Sequence, residues 1–372
     1  MKIAYFNGSF KKEDGVVRVI LALVEQAKKQ GVETAIVATK SKDTEVSPVP
    51  LMEINSVEIP FYRDYSLAFP GIKGFEKKLD EWKPDIIHIN SPDTVGWAGL
   101  KYAKKNNIPI VATFHTYFSR YLRYYHLSFA ESFAWHLQKK LYKRVSFTTA
   151  PSTSTAEDIK KHGVPNVYPV PWGVDFKSFN PAFRSQEWRT KIFGESNKEK
   201  AIILCICRLV SYKDTRILSE VYKLLKKNNK DFSMVIAGNG PEKEKMKSAM
   251  PEAIFLGHLE GKELSEAYAS SDIFLFPSQT ETFGNVNVEA IASGLPLVVA
   301  NSGGPAMFVQ RGNGFAVRPG DANDFYEKVC VILDDQDLRR KMSQASLEYS
   351  KQFTWEKTFS ELMSLYSKFL KK

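Results

Sequence analysis

Short apolar runs alternate with longer segments of helical spacing along the whole chain. Residues 2–6 have the length and composition of a strand. Over residues 15–30, Val16, Val19, Ile20, Leu23, Val24 and Ala27 recur at the spacing that gathers them on one face of a helix. Gly31 follows as a stop, because glycine readily takes the left-handed backbone needed after a last turn. Residues 33–39, 85–90 and 109–114 are further predicted strands, with a helix around 95–105. Strands at 148–151 and 167–169 end this first series.

The pattern then restarts. Residues 201–207 are almost continuously apolar, as expected of a strand covered on both faces. A helix over 215–227 and strands at 232–237, 253–256, 273–276 and 297–300 follow. Strands alternating with helices predict βαβ units and parallel sheets. The fold class expected is therefore α/β, with two Rossmann-like, doubly wound parallel-sheet domains facing across a cleft. Their junction falls near 171–180, giving domains at 1–174 and 175–354. Ligands of such sheets bind beyond the carboxyl ends of the strands, so the cleft is the expected active site. Over 355–372, Trp355, Phe359, Leu362, Met363, Tyr366 and Leu370 share one helical face, and this helix is expected to pack back on the N-terminal domain.

Length and composition narrow the function classes. A chain of 372 residues, 25% charged and 43% hydrophobic, is globular and favours two cores. No apolar run reaches the roughly 18 residues that span a bilayer. The opening MKIAYFNGSF has no apolar stretch before a cleavage site, so a cytoplasmic protein is expected. Three cysteines, Cys205, Cys207 and Cys330, show no framework or zinc spacing, which favours reduced thiols and no metal site. On a strand, Cys205 and Cys207 would face the same side. The net charge is +10, with 24 Lys and Arg against 17 Asp and Glu in residues 1–174, and 28 against 25 in the remainder. The basic N-terminal half suits an anionic partner: phosphate, nucleic acid or an anionic membrane surface.

The most informative segment is FPSQTETFGNVNVEAIASG, residues 276–294, which reads strand, loop, helix and glycine stop. Glu281 lies in the loop and Glu289 in the helix. Between them Thr282, Phe283, Gly284 and Asn285 place backbone N–H groups at a helix start, a natural anion site. Carboxylates accept pairs of hydrogen bonds from vicinal sugar hydroxyls, so the loop fits a sugar joined to a diphosphate. The bland alternative is a capped helix with solvated glutamates.

Arg208 and Lys213 follow the apolar strand of the second half and could neutralise a diphosphate, one as a planar fork and one as a point charge. Cations placed there would stabilise charge on a departing nucleoside diphosphate. Gly238, Asn239 and Gly240 in AGNGP, and His258 and Leu259 in LGHL, sit at strand ends that could hold a base or ribose; the spacing does not match a dinucleotide fingerprint. In the first half, Asp14 is an ordinary N-cap, and Gly15 could admit a phosphate or sugar. Arg18, one turn in, could meet an anion or water. His115 ends a predicted strand, where active-site groups cluster. The segment TFHTYFSRYLRYY, with Tyr117, Arg120, Tyr121, Arg123 and Tyr124, could stack on a sugar or grip an acceptor phosphate. It also describes a single-stranded nucleic-acid site, but no nucleic-acid module is visible, so no nucleic-acid partner is expected.

These residues resemble a known family. DGVVR (14–18), HTYFSRYLRYY (115–125), APS (150–152), GVD (173–175), RLVSYK (208–213), AGNGP (237–241), LGHL (256–259), ETFGNVNVEA (281–290), SGLP (293–296) and GGP (303–305) occur in the order seen in family 4 retaining glycosyltransferases of GT-B architecture. The subgroup most similar includes mannosyl-, glucuronosyl- and sulfoquinovosyl-transferases of glycolipid or surface-polysaccharide synthesis. The resemblance implies an N-terminal acceptor domain and a C-terminal donor domain. It implies that Glu281 holds hydroxyls of the donor sugar and Glu289 the ribose. Thr282, Phe283 and Gly284 would offer backbone amides, Arg208 and Lys213 would hold the diphosphate, Gly15 would sit beside the donor phosphate, and His115 would lie near the transferred sugar. It implies retention of anomeric configuration, no cofactor and no metal, with the nucleotide-diphosphate sugar as co-substrate. Three departures stand out: Asp14-Gly15 for a common Gly-Gly, Trp172-Gly173-Val174-Asp175 for Arg-Gly-Val-Asp, and Lys213-Asp214 for Lys-Gly. The last sets a negative charge beside a proposed phosphate ligand.

The expectation is thus an enzyme moving a hexose from a UDP- or GDP-sugar to a lipid or saccharide acceptor. Arg63 in PFYRDYSLAFP (60–70) and the tyrosine–arginine segment would shape the acceptor site. The basic half fits peripheral contact with an anionic inner leaflet, and equally a soluble sugar phosphate. An epimerase of the same architecture and a non-catalytic sugar-nucleotide binder are the alternatives. A glycosidase would set two carboxyls about 5–9 Å apart across the bond, whereas here both flank an anion cradle.

Overall fold

The computed structural model describes residues 1–11, 14–40, 47–59, 62–68, 74–121, 128–195, 198–310 and 312–370, with the side chains of 57–59, 62–68, 120, 121 and 370 outside that description. The chain divides into two units: Met1–Trp172 with Trp355–Lys372, and Gly173–Thr354.

The first unit runs β1 (Lys2–Asn7), α1 (Gly15–Lys29), β2 (Glu33–Thr39), β3 (Leu51–Ile54), β4 (Ser56–Ile59), β5 (Tyr62–Ala68), α2 (Phe75–Trp82), β6 (Ile86–Ile89), α3 (Thr94–Lys105), β7 (Ile110–Thr113), α4 (Phe118–Tyr121), α5 (Glu131–Tyr142), β8 (Phe147–Ala150), α6 (Thr153–Lys161) and β9 (Val167–Pro169). Seven strands form one parallel sheet in the order β3-β2-β1-β6-β7-β8-β9, and β4 and β5 form an antiparallel pair. Residues of β1, β6 and β7 are buried on both faces, which explains their unbroken apolar runs. Helix α1 starts where the Asp14 carboxylate accepts the Val16 N–H, and ends at Gly31 with φ +67°. It buries the expected Val19, Ile20, Leu23, Val24 and Ala27, with Val17 buried and Val16 only half-buried.

The second unit runs α7 (Gln186–Phe193), β10 (Ile202–Ile206), α8 (Thr215–Lys227), β11 (Ser233–Ala237), α9 (Lys243–Ala249), β12 (Ile254–Gly257), α10 (Gly261–Ala269), β13 (Ile273–Phe276), α11 (Asn285–Ala292), β14 (Leu297–Ala300), β15 (Gly314–Val317), α12 (Ala322–Asp334) and α13 (Gln336–Ser350). Its six-stranded sheet is parallel, in the order β12-β11-β10-β13-β14-β15. Cys205 and Cys207 do face the same side, with sulfurs 4.0 Å apart.

The final helix, α14 (Trp355–Leu370), belongs to the first unit and packs on α1. It buries Phe359, Leu362 and Tyr366. The Tyr366 hydroxyl and His88 Nδ1 share a hydrogen bond of 2.5 Å. In both sheets the strand order reverses once, between β1 and β6 and between β10 and β13. Each reversal sends the neighbouring connections to opposite faces and opens a crevice at the strand ends.

Candidate functional site

In the second unit, the crevice at β10 and β13 gathers the strongest sequence candidates. Beyond β10 the chain continues beside residues 237–240: Cys207 N–H donates to Ala237 O at 3.1 Å and Leu209 N–H to Asn239 O at 2.9 Å. A Cβ on Gly238 would stand 1.9 Å from Cys207 O, and one on Gly240 2.2 Å from Leu209 O. Both glycines are thus required by the approach of the chain to itself, which holds Arg208 in place. Asn239 is exposed at this turn. Arg208, also exposed, bonds the Tyr212 hydroxyl, and its guanidinium lies 5.8 Å from that ring's centroid. Lys213 Nζ lies 5.7 Å from the same ring. Tyr212 is buried and links the two cations; sequence reading passed it over, although it stands inside RLVSYK.

Lys213 forms an ion pair with Glu281, whose Oε1 also accepts the Ser278 hydroxyl at 3.1 Å. The cation expected on the diphosphate and the carboxylate expected on the sugar therefore touch each other. The Asp214 backbone is left-handed at φ +56°, and its carboxylate accepts the Gln279 N–H at 3.3 Å. A short polar side chain tolerates that conformation where glycine is usual. Burial pushes the Asp214 carboxyl above the ordinary range.

The loop bearing Glu281 rests on the glycine pair of GGP. Gly304 N–H donates to Glu281 O at 2.9 Å. A Cβ on Gly303 would come 2.5 Å from Glu281 O, and one on Gly304 2.4 Å from Phe283 O. Thr282 is buried, and the Phe283 ring packs against Phe308 at 5.0 Å, so only the backbone of Phe283 faces chemistry. Helix α11 begins at Asn285 after Gly284, φ +87°, with no side-chain cap. Such a start leaves first-turn N–H groups directed at an anion. Within α11, Glu289 Oε2 accepts the Tyr268 hydroxyl at 2.8 Å. His258 is exposed and paired with Glu260 at 2.9 Å, and Leu259 is half-buried.

In the first unit the crevice lies beyond β1 and β6. Gly8 N–H donates to Ser91 Oγ at 2.7 Å and Ser9 Oγ to Asp14 Oδ2 at 2.9 Å, which ties down the connection to α1. Gly15 and Arg18 are exposed at that helix start. His115 is buried just past β7. Its Nε2–H donates to Asn90 Oδ1 at 3.0 Å, and its ring stacks on Trp172 at 5.0 Å. Burial, with a smaller contribution from His88, pushes His115 down to about 3, so the imidazole is neutral. His88 is likewise pushed to about 3 by burial and shares a 2.7 Å hydrogen bond with Thr113. Asn90 and Trp172 are functional candidates that sequence reading missed. Among the acceptor candidates, Tyr117 is buried in the apolar core against Phe114 at 5.1 Å. The side chains of Arg63, Arg120 and Tyr121, and the whole of Arg123 and Tyr124, lie outside the described residues. Among the described residues no His, Cys, Asp or Glu cluster could hold a metal ion.

With this geometry in hand, comparison with known proteins is informative. Residues 186–349 match the family described as "Glycosyl transferases group 1", and residues 14–178 match "Glycosyltransferase Family 4". The sulfoquinovosyl transferase SQD2 of Arabidopsis thaliana is 34% identical over 81% of this chain and 60% of its own length. A GDP-mannose-dependent alpha-mannosyltransferase of Corynebacterium glutamicum is 31% identical over 99% of this chain and 89% of its own. Among solved structures, a sucrose-phosphate synthase from Thermosynechococcus elongatus superposes with a TM-score of 0.82 at 18% identity, covering 99% of this chain and 98% of that one. The Arabidopsis and Corynebacterium relatives are both named as glycosyl-group transferases, which lends no support to an epimerase.

Proposed function

The chain belongs to the family 4 glycosyltransferases, with GT-B architecture, and from that premise we propose that it transfers a hexose from a UDP- or GDP-linked sugar, with retention, to a lipid or saccharide acceptor. One observation carries the reading: Arg208 and Lys213 at the end of β10, and Glu281 with the uncapped start of α11 beyond β13, meet at the strand reversal of the second sheet. Two cations and a helix start form a cradle for a diphosphate, with carboxylates on either side for hydroxyl groups.

In this proposal Arg208, Lys213 and the amides of Thr282, Phe283, Gly284 and Asn285 take up the negative charge that builds on the leaving diphosphate. Glu281 holds the sugar hydroxyls after exchanging Lys213 for them. Glu289 holds the ribose, with Tyr268 fixing its carboxylate. Residues 238–240, His258 and Leu259 border the base, and Gly15 borders the phosphate. The C1–O bond to the diphosphate breaks, the acceptor oxygen bonds C1 on the same face, and its proton passes to the departing phosphate oxygen. No side chain acts as nucleophile, and the fixed cations leave no need for a metal. His115 is assigned to the transferred sugar as a neutral imidazole. Arg63, Tyr117, Arg120, Tyr121 and Tyr124 are assigned to the acceptor, Tyr117 through packing. A lipid-linked acceptor, with the protein peripheral on an anionic membrane face, suits the basic first half of this chain and a Streptococcus pneumoniae relative, 25% identical over 80% of this chain, that is named as an alpha-monoglucosyldiacylglycerol synthase.

The test is turnover of Arg208→Ala, Glu281→Ala and Glu289→Ala with a panel of UDP- and GDP-sugars, the product anomer being read by NMR. Each variant should keep its circular dichroism and lose about 10²–10³ in kcat. Near wild-type rates for all three, or an inverted product, would refute the assignment.

A further inference from the structure

We infer that the outward face of α5 is a docking surface for an anionic lipid bilayer; this rests on the lipid-acceptor reading and names the surface that would serve it. Large apolar side chains lie open in one stretch of the first unit. Phe129 is 82% exposed, Phe133 66% and Leu137 40%. Phe118, on the neighbouring α4, is 47% exposed. Phe133 and Leu137, four residues apart, line one side of α5, and Phe129 lies in the 3-10 turn Ser128–Ala130 just before that helix. Exposed Lys140, seven residues on from Phe133, continues that side, and exposed Lys143 and Arg144 follow just past the end of α5. The opposite side of α5, with Gln138, Leu141 and Tyr142, is buried.

The face is therefore apolar at its start and cationic at its end. Glu131 is the sole carboxylate in residues 129–144, and it stands seven residues before buried Gln138, on the inward side. The Arg144 guanidinium, 5.5 Å from the Trp97 ring, is held at the cationic end. Apolar side chains entering the acyl boundary while cations meet anionic headgroups is the arrangement of an interfacial helix. Charge decides against a second copy of the chain as the occupant. A chain of net charge +10 would bring the same cations onto this face, and lysine is depleted in protein interfaces.

The test is co-sedimentation of the full chain with phosphatidylcholine vesicles, with and without about 30% phosphatidylglycerol. The wild type should bind the anionic vesicles, less so as salt rises. Phe133→Ser with Leu137→Ser should lower that partition roughly tenfold or more. Lys140→Glu with Lys143→Glu should lower it similarly and remove most of the salt dependence. All four positions are exposed, and unchanged thermal unfolding checks that each variant folds. Absent binding, binding indifferent to phosphatidylglycerol, or variants that partition like wild type would overturn the proposal. So would a wild-type dimer in light scattering that Phe133→Ser with Leu137→Ser turns into a monomer. The vesicle assay contains no donor and reads no turnover. Its failure leaves the transferase standing, whereas turnover confined to water-soluble acceptors would remove the lipid-acceptor reading and leave the docking face.

Discussion

Lowering the pH from 7 to 5 should cost the first unit about 4 kcal/mol of stability, and two buried histidines account for it. His88 and His115 are both pushed to about 3 by burial in the folded chain. An unfolded histidine titrates near 6.5. The folded state therefore keeps both rings neutral across the window from 6.5 to 3, while the unfolded chain takes up two protons. Stability is full above about pH 6.5 and falls as the pH drops through that window. At pH 5 each site favours the unfolded chain by about 2 kcal/mol relative to pH 7. That is a large share of the roughly 5–15 kcal/mol that holds a domain together. The assay is hydrogen–deuterium exchange of peptides covering β6 and β7, corrected for the intrinsic effect of pH, with urea added to reach global opening. His88→Gln keeps a hydrogen-bonding group beside Tyr366 and Thr113 but does not titrate, so its pH difference should shrink to about 2 kcal/mol. Equal pH differences in wild type, His88→Gln and His115→Gln, or greater stability at pH 5, would refute the reasoning.

Three further outcomes are expected. Asn90→Asp places a carboxylate on His115 Nε2 and should raise the His115 pKa, visible by NMR as a ring titration that moves upward and as a new acid limb in kcat/KM. Gly238→Ala, with its Cβ 1.9 Å from Cys207 O, should lower stability by about 3 kcal/mol or more, whereas Gly31→Ala, with nothing within 4 Å, should cost about 1 kcal/mol; thermal unfolding separates them. Tyr212→Phe removes the hydroxyl that anchors Arg208 and should weaken UDP or GDP binding by about tenfold in calorimetry, with Tm nearly unchanged.

The sheets were legible because parallel strands buried on both faces read as unbroken apolar runs; the strands at 33–39, 273–276 and 297–300 agree with β2, β13 and β14 to the residue. β3 and β15 were passed over because they are short edge strands with partly exposed patterns, β15 beginning at a glycine. The β4–β5 pair forms a separate two-stranded sheet, and its residues do not read as an unbroken apolar run. At the site, the residue types after β10 and β13 were legible because each lies at the end of a local strand signal. Their pairing was not: Lys213 and Glu281 are 68 positions apart, and only the adjacency of β10 and β13 joins them. Asn90 left a fainter trace. Asn90, just past β6, follows His88 by two residues as His115, just past β7, follows Thr113, two polar pairs at the ends of apolar runs that the pairing of β6 with β7 brings together.

The most direct measurement is a crystal structure of the protein with a non-hydrolysable UDP- or GDP-hexose. The account expects the diphosphate within hydrogen-bond reach of Arg208 and Lys213, the hexose hydroxyls on Glu281 in place of Lys213, and the ribose on Glu289. A well-ordered donor bound away from positions 208, 213 and 281–289 would contradict it.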